Sequence, residues 1–251
     1  MPPIARPKRS ARRDAAEIVF FPLYRQVREG LLRRLAEGAW PAGAMLPSEQ
    51  VLAAELGVSQ GTVRKALDAL VAENLLVRRQ GRGTFVALHD ESRILFQFFR
   101  LVSETGERQF PESRVLRVGA GRASAEERAR LALAARARVV RIRRVRALAG
   151  RPCIAESIVL PASLFPGLIE RPLPNNLYGL FAEKYGIGIA RASERLRAVA
   201  LGASDATLLG VAQGTPALAI DRLALAIDGR RVEWRVSHCL TTHVHYASDL
   251  T

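Results

Sequence analysis

Apolar residues recur at helical spacing near the start of the chain. Four of them stand at every fourth position: Leu23, Val27, Leu31 and Leu35. This period places them on one face of an amphipathic helix, and a glycine is a common end signal for such a helix. The pattern therefore predicts a first helix that ends near Gly38.

Two further helical segments follow closely. Ser48 is a good N-cap for a short helix that continues to Leu56, and Gly57 is its stop signal. Ser59 then caps a third helix, whose apolar residues fall on one face: Val63, Ala66, Leu67 and Leu70. Two helices joined by a tight turn predict a helix-turn-helix, which presents its second helix to the major groove of DNA.

A β-hairpin is predicted directly after the third helix. Two β-prone runs, Leu75–Arg79 and Thr84–Ala87, are joined by Gln-Gly-Arg-Gly at residues 80–83. A hairpin in this position is the wing of a winged helix-turn-helix. We therefore expect a DNA-binding domain over residues 20–88, preceded by a basic flexible arm over residues 1–19.

The pattern changes to apolar alternation beyond residue 88. Four runs predict strands: Val139–Leu148, Ile154–Leu160, Ala217–Ile227 and Arg231–Cys239. Three helical segments lie between them: Ser124–Leu133, Leu177–Tyr185 and Ser204–Gly210. Strands with intervening helices predict an α+β domain with an antiparallel sheet over residues 94–251, joined to the first domain by a linker over residues 89–93.

Composition and charge narrow the class of protein. A chain of 251 residues suits two domains. The net charge of +14 favours polyanionic partners, although a genome-wide preference for arginine would also produce it. Two cysteines are too few for a disulfide framework, and no apolar run is long enough to span a membrane, so we expect a cytoplasmic protein without membrane contact.

These motifs, in their order and spacing, resemble those of the GntR family of bacterial repressors, and in particular those of its HutC branch, which carries a UTRA sensor domain. In the first domain the resemblance rests on five segments: Pro22–Tyr24, Leu46–Glu49, Leu56–Ser59, Thr62–Leu67 and Gly81–Val86. In the second domain it rests on five shorter features: Arg144–Arg146, Gly150–Pro152, Glu156, Leu177–Tyr178 and Val232–Glu233. The resemblance implies a winged helix-turn-helix joined to a UTRA domain, whose fold is similar to that of chorismate lyase.

The resemblance also implies which residues contact operator DNA. They lie on the two helices and at the wing tip: Gln50, Ser59, Gln60, Gly61, Thr62, Arg64, Gln80, Gly81 and Arg82. Glutamine suits a bidentate contact with adenine, and arginine suits phosphate or guanine. Many relatives carry arginine where Gln50 and Gln60 stand, so we expect an altered base preference in this chain.

A second set of residues is expected to bind an effector. Strand alternation sends Arg144 and Arg146 to one face of the sheet, where two guanidinium groups can hold an anion. The resemblance implies six effector-binding residues: Arg144, Arg146, Glu156, Asn176, Tyr178 and Glu233. The implied ligand is a small anion, carboxylated or phosphorylated. A carboxylate with an apolar body is favoured, because relatives that sense sugar phosphates have serine where Asn176 stands, and because Phe96–Arg100 lacks the hydroxyl-rich pattern of the family. A cross-strand Arg–Glu ladder on the surface is the alternative.

Histidine and cysteine residues near the C-terminus raise the question of a metal site: His238, Cys239, His243 and His245. Their spacing matches no established closed zinc site, so we expect no metal and no other cofactor.

Three functions remain to be compared. A homodimeric repressor, released from a pseudo-palindromic operator by its effector through the linker, accounts for both domains. An enzyme is the second, because the UTRA fold is similar to that of chorismate lyase, but no nucleophile–base constellation accompanies the predicted pocket. A nonspecific architectural DNA-binding protein is the third, and it leaves the second domain unexplained.

Overall fold

The computed structural model describes residues 22–41, 43–73, 75–87, 99–104 and 110–248. The predicted arm at residues 1–19 and the predicted linker at residues 89–93 lie outside these ranges. None of the helices within the described ranges is long and apolar enough to cross a membrane.

Three helices and a two-stranded hairpin form the first domain. The helices are α1 (Leu23–Ala36), α2 (Glu49–Leu56) and α3 (Gln60–Ala72). The hairpin pairs β1 (Leu76–Arg79) with β2 (Gly83–Val86) in antiparallel register. The predicted winged helix-turn-helix is confirmed in type and order of elements.

Capping residues fix the boundaries of the two central helices. Ser48 accepts a hydrogen bond from the backbone N–H of Val51, and Ser59 accepts one from that of Thr62. Gly57 ends α2 with φ of +64°, a left-handed conformation in which a glycine is strongly favoured. This cap keeps the connection to α3 short, as a helix-turn-helix requires.

The predicted apolar face of α1 packs into a continuous core with α2, α3 and the hairpin. Val27, Leu31 and Leu35 are buried against the face of α3 that carries Val63, Leu67 and other apolar residues. Leu23 belongs to the same sequence pattern but is 51% exposed, because it lies in the first turn of α1, beyond the reach of that core.

A six-stranded antiparallel sheet forms the centre of the second domain. Its strands in chain order are β4 (Glu112–Arg122), β5 (Arg138–Leu148), β6 (Arg151–Pro161), β7 (Ile189–Ala200), β8 (Pro216–Ala226) and β9 (Arg231–Cys239). In the sheet they lie in the order β4-β5-β6-β9-β8-β7. A separate small sheet pairs β3 (Leu101–Ser103) with β10 (Val244–Tyr246).

Helices cover both faces of the large sheet. Helix α5 (Leu177–Tyr185) packs through Phe181 on the face that carries Ile142 and Ile158. Helices α4 (Ala125–Leu131) and α6 (Ala203–Leu209) pack on the opposite face. The expected α+β class with an antiparallel sheet is confirmed, and these three α-helices lie where the sequence pattern predicted helices. Two short 3-10 helices, Ala162–Leu164 and Leu168–Glu170, were not predicted.

Strands β4 and β7 were absent from the sequence prediction. They form the two edges of the large sheet and expose many of their side chains, so their apolar alternation is weak. The four strands predicted from sequence occupy the interior of the sheet, where the alternation is strongest.

Candidate functional site

The N-terminal part of α3 presents the predicted base-reading residues to solvent. Gln60, Gly61 and Arg64 are exposed, as is Gln50 on the neighbouring helix α2. Thr62 is half-buried, and its hydroxyl lies 2.8 Å from the hydroxyl of the cap Ser59. These two hydroxyls therefore hydrogen-bond to each other and cap the start of the helix, while the longer side chains of Gln60 and Arg64 are exposed to solvent.

Glu49, which was not predicted as a site residue, connects the predicted DNA-binding side chains. Its carboxylate accepts hydrogen bonds from Arg64 Nε at 2.9 Å, from Arg78 Nη2 at 2.9 Å and from Gln60 Nε2 at 3.4 Å. The hydrogen bond from Arg64 is the main cause that holds the pKa of Glu49 below its usual value. Glu49 therefore fixes the position of Arg64 in the DNA-free protein and offsets its charge.

The turn of the wing carries the remaining predicted DNA contacts. Gln80, Gly81 and Arg82 are all exposed, and Gly81 has φ of +69°. At the base of the turn, the guanidinium of Arg79 lies over the ring of Phe85, with 4.8 Å between the guanidinium carbon and the ring centroid. This contact joins the two strands of the hairpin directly beside the turn.

The six predicted effector residues come together on one side of the large sheet. Arg144 and Glu156 face each other across β5 and β6, and Arg144 Nε donates to Glu156 Oε2 at 2.5 Å. Both residues are nearly inaccessible, at 2% and 3% exposure. A surface Arg–Glu ladder is therefore excluded for this pair, because the two charges lie inside the domain.

Arg146 is the arginine of this cluster with the weakest carboxylate contact. Within the described ranges, its closest carboxylate oxygen is Glu156 Oε1 at 3.9 Å. Its other partners are neutral. The Ser113 hydroxyl lies at 3.0 Å and the backbone carbonyl of Pro111 at 3.3 Å, and the ring centroids of Phe99 and Phe110 lie 5.2 and 5.3 Å from the guanidinium carbon. Burial and the nearby charge of Arg144 lower the pKa of Arg146 to about 9. Arg146 is therefore a buried charge with no described carboxylate at hydrogen-bonding distance.

Two further arginines, missed by the sequence analysis, complete the cluster. Arg235 lies opposite Arg222 across β9 and β8, and both are buried. Arg235 donates to Glu233 Oε2 at 2.7 Å, and Arg222 donates to Glu194 on β7 at 2.6 Å. Strand alternation from Glu233 could have indicated Arg235, since residues two apart on a strand share a face.

The carboxylate of Glu156 is held in the ionised form. Burial opposes this, but Arg144, Arg235 and Arg146 together bring the pKa of Glu156 well below its usual value. Glu233 accepts a hydrogen bond from the hydroxyl of Tyr178 at 2.8 Å, and burial is the first cause that raises the pKa of that hydroxyl. Tyr178 therefore acts as a neutral donor.

A small cavity lies against this cluster, between the sheet and the start of α5. Its volume is about 30 Å³ and its wall contains Phe99, Phe110, Arg144, Arg146, Asn175, Asn176, Leu177, Tyr178, Arg222 and Arg235. Four of the predicted effector residues line it directly, whereas Glu156 and Glu233 lie behind the arginines. Asn176 caps α5 by accepting a hydrogen bond from the backbone N–H of Gly179 at 2.9 Å.

The histidines near the C-terminus do not meet at one point. His238 pairs with Asp205, His245 Nδ1 lies 3.9 Å from Glu104, and Cys239 is buried. Among the described residues, no group of three or more histidine, cysteine or acidic side chains is placed to hold a metal ion.

Comparisons with known proteins assign both domains. Residues 23–86 match the family described as bacterial regulatory proteins, gntR family, and residues 107–245 match the UTRA domain. Over 234 residues, 92% of this chain and 96% of the relative, the chain is 31% identical to the HTH-type transcriptional repressor NagR of Bacillus subtilis. It is also 39% identical to the histidine utilization repressor of Pseudomonas aeruginosa over 87 residues, 35% of each chain.

A solved structure resembles the second domain. The ligand-binding domain of a GntR-family transcriptional regulator from Bordetella bronchiseptica is 37% identical to this chain, with a TM-score of 0.57. The match covers 62% of this chain and 98% of that domain. The domain that contains the arginine cluster is thus similar to one described as ligand-binding.

Proposed function

The chain belongs to the GntR family of bacterial regulatory proteins, in its HutC-like architecture with a UTRA domain, and we propose that a small anion bound at the arginine cluster controls its release from DNA. It is a DNA-binding transcriptional repressor regulated by a small-molecule effector, and not an enzyme. The anionic nature of the effector, the residues that bind it and the homodimer are parts of the proposal.

The contacts of Arg146 carry the proposal of an anionic effector. Its guanidinium is 4% exposed, and its nearest described carboxylate oxygen, on Glu156, is 3.9 Å away. A buried charge is costly unless it is paired, and a carboxylate or phosphate oxygen is the natural partner for a guanidinium. A ligand that binds here gains the interaction that the protein leaves incomplete. The effector-binding set is proposed as Arg144, Arg146, Glu156, Asn176, Tyr178 and Glu233.

The DNA-binding residues are proposed to act from a twofold dimer. Gln60 and Arg64 at the start of α3 would read base edges, while Gln80, Gly81 and Arg82 of the wing would contact the backbone or the minor groove. The set is completed by Gln50, Ser59, Gly61 and Thr62. Two such domains related by a twofold axis fit a pseudo-palindromic operator.

The switch requires a difference in effector affinity between two states. The cavity of about 30 Å³ is too small for a metabolite, so an effector must displace side chains of the cavity wall in order to enter. We propose that this displacement is coupled, through the linker at residues 89–93, to the spacing of the two recognition helices in the dimer.

Footprinting of the operator region tests the proposal, in the presence and absence of small carboxylates and phosphates. We expect a bounded protected site that one class of anion releases. The variant Arg146→Gln should protect the same site and resist release, which also shows that it remains folded. Release of this variant at the same anion concentration as the unmodified protein would contradict the assigned site.

A further inference from the structure

Two buried polar atoms in the wall of the arginine cavity lack partners. Within the described residues, Arg235 Nε and Asn175 Oδ1 are both inaccessible to solvent and make no hydrogen bond. The first is a donor and the second is an acceptor. Both residues line the cavity that Arg144 and Arg146 line. Because nearly all buried polar groups in proteins are hydrogen-bonded, two such atoms on residues that line one cavity indicate the chemistry of a ligand that binds there.

Arg235 is anchored so that this donor stays in place. Its Nη2 donates to Glu233 at 2.7 Å, and its Nη1 lies 3.5 Å from Glu156. The guanidinium also lies over the ring of Tyr178, with 5.5 Å between its carbon and the ring centroid. The residue is 6% exposed. Its terminal nitrogens are thus engaged with protein carboxylates, and Nε–H remains for a ligand.

Asn175 is separate from the cap of helix α5. The backbone oxygen of Asn175 accepts a weak hydrogen bond from Arg144 Nη1 at 3.3 Å, whereas the neighbouring Asn176 uses its own side chain to cap the helix. The acceptor on the Asn175 side chain has no such structural role. Asn175 Oδ1 can therefore accept a hydrogen bond from a donor group on the ligand, and so favour ligands that carry one.

The charges of the cluster limit the charge of the ligand. Among the described residues, four guanidinium groups face three carboxylates: Arg144, Arg146, Arg222 and Arg235 against Glu156, Glu194 and Glu233. One negative charge neutralises this excess, whereas two would leave an uncompensated anion in a buried site. A singly charged carboxylate fits this balance better than a phosphate dianion.

We propose that the effector is a monocarboxylate with a hydrogen-bond donor on its body, held by Arg146 and Arg235 Nε at the carboxylate and by Asn175 Oδ1 at the donor. This inference rests on the proposed function and deepens it. Arg235 and Asn175 are then the residues that set specificity. Phe99, Phe110 and Leu177 supply apolar surface for the body of the ligand.

The test begins with thermal-shift and operator-release measurements on the full chain. The panel contains benzoate, its 4-amino, 4-hydroxy and 4-methyl derivatives, small aliphatic amino and hydroxy acids with their unsubstituted parents, and phenyl phosphate and inorganic phosphate as dianions. We expect the monocarboxylates to stabilise the protein and release the operator more than the phosphates do. Within matched pairs, the member with the donor should bind about fivefold more tightly, the effect of one net hydrogen bond.

Asn175→Ala and Arg235→Lys separate the two contacts. Asn175→Ala should bind the donor-bearing and donor-free members of the best pair with equal affinity, and its affinity for the donor-free member should match that of the unmodified protein. Arg235→Lys keeps the charge beside Glu233 but removes Nε–H, so it should weaken both members of the pair by a similar factor, about fivefold to tenfold. Operator binding without ligand, unchanged in both variants, is the control for folding.

The outcomes distinguish this inference from the function on which it rests. If phosphates release the operator better than carboxylates, or if the donor preference persists in Asn175→Ala, the inference is wrong and an anion-controlled repressor remains. If no anion of the panel stabilises the protein or releases the operator, the proposal of an anionic effector is wrong, and so is the inference that rests on it.

Discussion

Arg144 and Glu156 lie directly opposite each other on neighbouring strands, and Arg144 Nε donates to Glu156 Oε2 at 2.5 Å inside the second domain. Ser237 also donates to this glutamate, at 3.2 Å, from the next strand β9. Glu156 thus connects three strands of the sheet behind the effector cavity. Its contacts with Arg144, Arg146 and Arg235 neutralise these buried charges and hold their side chains in position.

Replacement of Glu156 by glutamine should destabilise the second domain. The change leaves the charge of Arg144 buried without its closest counter-ion, and removal of one partner from a buried ion pair costs about 3–5 kcal/mol. Chemical denaturation at pH 7 measures the loss. Glu183→Gln is the matched control, because Glu183 lies exposed on α5 and its loss should change the free energy of unfolding by less than about 0.5 kcal/mol.

The same pair predicts a dependence of stability on pH. The folded-state pKa of Glu156 lies below its unfolded value of about 4.3, so its ionised form stabilises the folded protein fully above that pH. The contribution is lost as pH falls further toward the folded-state pKa. The difference in unfolding free energy between the unmodified protein and Glu156→Gln should therefore be largest near pH 7 and shrink below about pH 4. A difference that grows on acidification would contradict this account.

Arg64→Ala should abolish specific operator binding and leave the fold intact. Arg64 is exposed on α3, and its ion pair with Glu49 lies at the surface, so the helix core does not depend on it. A gel-shift titration with operator and with unrelated DNA measures the loss. Arg197→Ala removes the same charge from the exposed edge strand β7 and should bind the operator normally. Normal operator affinity in Arg64→Ala would refute the assignment of α3 as the recognition helix.

Gln60→Arg should change base preference more than salt dependence. A glutamine at this exposed position of α3 suits adenine, and an arginine suits guanine. One added charge steepens the plot of log affinity against log salt by no more than about 0.9. Selection from a randomised operator, with affinities measured at several salt concentrations, separates the two effects. An unchanged preferred sequence with a steeper salt slope would show that residue 60 contacts phosphate only.

Glu49→Gln should raise affinity for unrelated DNA and reduce discrimination. The carboxylate of Glu49 offsets the charges of Arg64 and Arg78 and holds Arg64 in one orientation. Its removal exposes positive charge to phosphates but frees the arginine to adopt other rotamers. We expect the ratio of operator affinity to unrelated-DNA affinity to fall. Glu55→Gln, on the same helix α2 but paired with Arg34, is the control and should leave that ratio unchanged.

The sequence predicted the winged domain nearly completely because its determinants are local. Ser48, Gly57 and Ser59 set the ends of two helices by contacts within their own turns. The edge strands β4 and β7 were missed because their pairing partners, and not their own alternation, stabilise them.

The candidate effector site was predicted in part for the same reason. Arg144 and Arg146 follow from alternation within one strand, whereas Arg222 enters the cluster through cross-strand pairing with Glu194 and Arg235. The unpaired acceptor of Asn175 depends on the path of the chain before α5, which no sequence pattern encodes. Glu49 was recognised as part of a motif, but its contact with Arg64 joins two helices and appears only in the folded domain.

The central claim is that an anion in the arginine cavity favours the DNA-free state of the repressor. Calorimetric titration of the best-binding carboxylate tests it most directly, with the free protein in one experiment and the saturated operator complex in the other. The account predicts weaker effector binding by the operator complex, by the same factor by which the effector weakens operator binding. Equal effector affinity in the two states would contradict it.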